Sequence, residues 1–174
     1  MRKLRFFGVF LLSFAALLVL WKATDGSRWY TAAMLTCAGL IGPLLHGWVL
    51  DIPAAGTPTW VYGNTQVQAS IQFDALAVGL VPLLALLAAT PGLSLPRRGI
   101  LMVAGSFLCF LVDTLIVALF PLLVFYKNPF TDIIGTFLGL VAFVGAPVII
   151  WFALTFRELK RWLPSLGLRA FQTH

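Results

Sequence analysis

Residues 70–90 read SIQFDALAVGLVPLLALLAAT, an apolar run that carries an aspartate, Asp74, near its start. A second run, GSFLCFLVDTLIVALFPLL (105–123), places Asp113 among residues that hydrocarbon accepts readily. Crossing a bilayer takes about 20 apolar residues at 1.5 Å each. An acid at the middle of such a helix costs about 2.5–3.5 kcal/mol, so intramembrane acids turn inward to a partner or a wet cavity. The two aspartates therefore bear on both the fold and the site.

The whole chain agrees with a membrane reading. Of its 174 residues 60% are hydrophobic and 10% charged, and the mean hydropathy is +0.97. Soluble domains are about a quarter charged. One polytopic membrane domain is expected over residues 1–174, without repeats, linkers or low-complexity tracts. The net charge of +6 does not point to nucleic acid, because the basic residues lie at the ends of apolar runs, where they orient the chain in a bilayer. Cys37 and Cys109 stand inside apolar runs without metal-ligand or redox spacing, so each reads as a small core hydrophobe. No cofactor or metal site is expected.

Four runs are long enough to span: about 6–22, 71–90, 99–126 and 133–156. The first opens like a signal sequence, with Arg2, Lys3 and Arg5, but continues to Leu20-Trp21-Lys22 without a small-residue cleavage site, and reads as an uncleaved anchor. A fifth run, 30–50, is also apolar. If it stays outside, nine of the twelve Lys and Arg fall on the cytoplasmic side with both termini, leaving Lys22, Arg28 and Lys127 outside. If it crosses, Arg97, Arg98 and the basic tail move outside, against the usual bias. Gly39, Gly42, Pro43 and Gly47 weaken a straight helix there, while Trp29, Tyr30 and Trp48 suit headgroup depth. A broken interfacial or re-entrant helix over 30–48 is expected. Gln66, Gln68, Ser70 and Gln72 then alternate with apolar residues after Gly63-Asn64, which predicts an outer hairpin over 58–72. The fold class is thus an all-α integral membrane bundle of four transmembrane helices, with an outer interfacial helix and a small β-hairpin, in the bacterial inner membrane.

This topology puts Asp74 about one turn below the outer surface. Asp113, fifteen residues beyond Arg98, lies roughly 22 Å up from the cytoplasmic side. The titratable partners on that side are His46, Lys127, Arg28 and Lys22. Asp74, Asp113 and His46 are the candidate catalytic residues, as an outer-leaflet acid–histidine cluster. The structural reading of the same residues is a helix cap for Asp74, an interhelical anchor for Asp113 and an interfacial polar residue for His46. Pro82, Pro121 and Pro147 read as tolerated kinks. No nucleophile elbow, zinc-helix motif or phosphate-binding glycine loop is present.

An outer hairpin leading into VQASIQFDALAVGLVPLLALLAATP, a basic turn PRRGIL and a span with FLVDTLIVAL together resemble the exosortase and archaeosortase membrane proteins. The likeness is closer to the small membrane proteins associated with exosortases, and covers roughly residues 58–156. In exosortases the first span supplies a catalytic cysteine, and later spans arginines or histidine. Here Asp74 or Ala75 stands at the cysteine's position, and VDTLIV carries no arginine. The resemblance therefore implies an accessory role without transpeptidase chemistry, beside another membrane protein and in the lipid bilayer. The competing expectations are an outer-leaflet enzyme built on Asp74, Asp113 and His46, and a small subunit of a transporter or proton-conducting complex.

Overall fold

The computed structural model describes residues 2–52, 58–68, 77–125, 133 and 145–162. Five helices are numbered here in chain order: α1 Arg2–Ala23, α2 Gly26–His46, α3 Leu80–Ala89, α4 Leu95–Phe125 and α5 Ala146–Trp162. Three short antiparallel strands, β1 Val49–Asp51, β2 Thr59–Tyr62 and β3 Thr65–Gln68, form one sheet in the order β1-β2-β3.

Side-chain contacts fix the direction of each helix. Arg5 at the start of α1 and Arg98 at the start of α4 line the same cleft, so both helices begin at one end. Glu158 near the end of α5 pairs with Arg97 at 2.6 Å, so α5 runs back to that end, as does α3, which precedes the short turn into α4. The molecule consequently has a basic end, holding Arg5, Arg97, Arg98, Arg157 and Lys160, and an opposite end covered by the sheet. Helix α3 lies innermost. Leu83, Ala85 and Leu87 have no exposed surface, and α3 packs on α1, α4 and α5. Ala85 thus serves the packing of the bundle itself.

The exterior is apolar as well as the core. Leu4, Leu12 and Val19 of α1, Ile100, Val103 and Phe107 of α4, and Ile149 and Phe152 of α5 are exposed, while Asp113, Thr114, Thr155 and Glu158 are buried within an otherwise apolar core. Outward apolar faces of this extent mark surfaces that contact a partner or a membrane. Two helices, Leu4–Ala23 and Leu95–Phe125, are long and apolar enough to cross a membrane. The other two expected spans are only partly described. Helix α3 shows ten residues and α5 seventeen, and the remainder of each run falls among residues outside the description. Four crossings are therefore not shown.

Helix α2 departs from the expectation of a broken segment over 30–48. It is one unbroken helix of 21 residues that ends when Gly47 turns left-handed (φ 75°) and returns its N–H to the Pro43 carbonyl. Pro43 falls in the last turn, where few intrahelical bonds remain to lose, and tertiary packing offsets the weak propensity of the glycines. At Gly42 the ring of Trp60 approaches so closely that a Cβ would lie 2.5 Å from it. Helix α2 does not travel back to the basic end. Tyr30 meets Phe110 and Trp48, just past α2, meets Phe125, so the segment stays beside the second half of α4.

The hairpin appears where alternation placed it, with β2 and β3 in register from Thr59–Gln68 to Tyr62–Thr65. Strand β1 adds a third member, pairing Leu50 with Trp60. Three residues are too few to show a period-two pattern, so β1 was not legible. Residues 69–72 of the expected hairpin lie outside the description. Of the three aromatics assigned to headgroup depth, only Trp29 fits, at 74% exposed. Trp48 is buried, tilted against Tyr62 and edge-on to Phe125, and Tyr30 turns inward. As described, Pro82 is the third residue of α3 and Pro147 the second of α5, whereas Pro43 and Pro121 lie inside their helices.

The Gly42–Trp60 contact makes Gly42→Ala an overpacking change. It should lower stability by about 1–3 kcal/mol, read as a reduced thermal midpoint by circular dichroism in detergent, and Trp60→Leu in the same chain should restore part of the loss.

Candidate functional site

The buried acid Asp113 has a partner, and it is none of the charged residues expected. Asp113 is 1% exposed on the inner face of α4. The Tyr30 hydroxyl of α2 donates to its Oδ2 at 2.6 Å, within the short range of strong O–H···O bonds. One turn back on α4, the Cys109 thiol lies 3.9 Å from the same oxygen, a weak second donor. The Tyr30 ring is held edge-on against Trp21 of α1 at 6.0 Å and Phe110 of α4 at 5.6 Å. Three helices thus meet around one hydroxyl–carboxyl bond. Among the described residues no Lys, Arg or His pairs with Asp113.

His46 does not join it. Its Nε2 lies 2.7 Å from the Ala118 carbonyl, while its Nδ1 lies 3.2 Å from the Trp48 backbone N–H, which donates to it. A carbonyl only accepts and an N–H only donates, so this geometry has Nε2 donating to Ala118 and Nδ1 accepting from Trp48. Pro121, inside α4, lacks the N–H that would bond the Val117 carbonyl, one residue before Ala118. The Trp60 ring packs edge-on against the imidazole at 5.7 Å. His46 is a tether between α2, α4 and the sheet, and both its nitrogens are committed.

Asp74 lies outside the described residues, as does Lys127. Lys22 and Arg28 line a polar cleft with Asp25 at the α1–α2 turn, away from Asp113. The expected acid–histidine cluster is therefore not assembled by the residues described. Among them no group of three or more His, Cys, Asp or Glu is placed to hold a metal ion.

A second polar node, absent from the sequence reading, joins helices at the basic end. Thr90, fully buried, donates its hydroxyl to the Leu86 carbonyl at 2.7 Å and accepts from the Trp151 indole N–H at 2.8 Å. Its carbonyl accepts from Arg98 Nη2 at 3.2 Å. The node fastens the end of α3 to α4 and α5. Beside it Glu158, 6% exposed by side chain, takes Arg97 through Oε1. Trp151 and Thr90 left no sequence signal, since each residue type is unremarkable singly and their pairing depends on α5 folding back over α3.

Chemically, the Asp113 centre holds together but does not offer itself. Among the described residues, neither the cleft at the α1–α2 turn nor the one at the basic end is lined by Asp113, and its Oδ2 faces a hydroxyl and a thiol. No family model matches the chain, and neither a curated protein nor a solved structure matches it.

Removing the tyrosine hydroxyl separates anchoring from bulk packing. Tyr30→Phe keeps the ring against Trp21 and Phe110 but strands the acid, and should lower stability by about 1–3 kcal/mol. Asp113→Leu should cost a similar amount, and Asp113→Asn much less, because the amide oxygen still accepts from Tyr30. Thermal unfolding in detergent of the three variants checks the order.

Proposed function

We propose that the chain is a multi-pass protein of the bacterial inner membrane that works by binding another membrane protein, without catalysing a reaction. The observation that carries this reading is that two polar residues of the described bundle, Asp113 and His46, are both engaged by protein groups. Asp113 is sealed against Tyr30 and Cys109, and both His46 nitrogens are engaged. A catalytic or proton-carrying group needs an approach for substrate or a chain of exchangeable partners, and these groups have packing instead. The outward apolar faces of α1, α4 and α5 supply surface for lipid and for a partner helix.

The orientation follows from charge. With the basic end cytoplasmic, positive residues collect where bilayer proteins keep them, and the sheet with α2 covers the outer side. Helix α2, which does not return to the basic end, then lies in the outer half of the membrane and its interface. For the partner, the layout of hairpin, apolar helix, basic turn and acid-bearing helix points to an exosortase-type sorting enzyme. That inference rests on the resemblance in layout and on no matched motif.

Two measurements test this. In a Cys37→Ser background, Asn64→Cys in the hairpin turn should react with an impermeant thiol reagent on intact cells, while Ser94→Cys before α4 should be protected. The reverse pattern, or labelling of both, overturns the orientation. Asp113→Asn should fold and still co-purify with the sorting enzyme encoded in the same cell. A well-folded Asp113→Asn that loses all biological activity would put the ionised acid itself to work, and the binding reading would fail.

A further inference from the structure

At the basic end a cleft of about 500 Å³ opens between the start of α1, the end of α3 and the start of α4. Its charged lining consists of two arginines, Arg5 and Arg98, and no acid lines it. The nearby carboxylate, Glu158, does not line the cleft and pairs with Arg97 through Oε1, its Oε2 being buried without a partner. Arg98 commits one N–H to the Thr90 carbonyl, while its Nε is buried without a partner. A guanidinium carries five N–H donors in a planar fork, so most of the donor capacity of Arg98 is unspent. Among the described residues Arg5 has no carboxylate either. Two cations sharing a cleft repel one another, and the first turn of α4 adds the partial positive charge of a helix start. The arrangement is complete only with an anion.

The walls narrow the choice of anion. Phe6, Val9 and Ala88 line the same cleft, and α1 continues from it as an exposed aliphatic face through Leu11 and Leu12. A fully hydrated ion gains nothing from apolar walls. A phosphate joined to acyl chains matches both halves, with its oxygens on the arginine forks and its chains along α1. We infer that this cleft binds the phosphate of an anionic phospholipid, with Arg98 and Arg5 as its donors and Val9 beside the first carbons of the chain. The inference rests on the reading that the basic end faces a headgroup layer.

The test uses the full chain in phosphatidylcholine nanodiscs, with and without phosphatidylglycerol, read by thermal unfolding and by native mass spectrometry of retained lipid. Phosphatidylglycerol should raise the unfolding midpoint of the wild-type protein and remain bound. Arg98→Gln and Arg5→Gln should each retain it about tenfold less, the scale of one charge-assisted contact. Arg28→Gln, on α2, should bind like wild type. Because Arg98 also holds Thr90 and its loss can disturb folding, Val9→Glu serves as the second variant. It leaves the Thr90 node untouched, lies one turn from Arg5 where it neutralises that charge, and should abolish retention.

Equal retention by all variants, or equal loss in Arg28→Gln, overturns the site in favour of diffuse charge attraction. Inorganic phosphate added to discs without phosphatidylglycerol should leave the midpoint unchanged. A phosphate-induced rise that Arg98→Gln removes would make the ligand a soluble phosphate and overturn the lipid. Retention in discs does not depend on cellular orientation, which the thiol labelling reads separately, so failure of one leaves the other standing.

Discussion

The bond between Tyr30 and Asp113 is the constraint around which the sheet-covered half is arranged. A carboxyl group in an apolar interior has to be matched by a donor at short range, and the match fixes where that donor's helix lies. Tyr30 is the fifth residue after the left-handed turn at Asp25 (φ 54°), so anchoring it sets the entry of α2. Trp21 on one side and Phe110 on the other leave its ring little freedom. The far end of α2 is fixed in turn by His46 on the Ala118 carbonyl. Two polar contacts separated by more than four turns hold a helix whose own sequence, with three glycines and a proline, is poorly suited to standing alone.

The sequence disclosed the chemistry of this region better than its pairings. Composition and charge placement were sufficient for a helical, membrane-type chain with basic residues gathered at one end, and alternation after Gly63-Asn64 was sufficient for the hairpin. The burial of Asp113 and its need for a partner followed from the cost of an acid in hydrocarbon. The partner's identity did not, because charge complementarity drew attention to His46, Lys127 and Arg28, whereas the structure uses an uncharged hydroxyl. Tyr30 stands among aromatic residues that carry equal weight as interface markers, and nothing local separates an inward ring from an outward one. The continuity of α2 was obscured for a related reason. Propensity counts against Gly39, Gly42 and Pro43, but Gly42 is present to admit the Trp60 ring, a contact between residues 18 positions apart.

The buried polar contacts and the apolar exterior are two sides of one arrangement. Wherever hydrocarbon covers a helix, burying leucine against leucine gains little, and helix association depends on close approach and on interhelical hydrogen bonds. The Asp113 centre, the His46 tether and the Thr90 node are three such contacts at three heights. Each joins a different set of helices, and each involves a side chain that a soluble core would leave at its surface.

The Arg97–Glu158 pair carries a consequence for how the last helix takes its place. A helix sliding in lipid meets no strong barrier to moving up or down, because one aliphatic residue replaces another at every step. Glu158 supplies a stop. Advancing α5 by a single residue shifts the carboxylate about 1.5 Å and swings it about 100°, which removes it from the guanidinium and leaves a charge without its counter-ion near hydrocarbon. The pair therefore acts as a depth gauge.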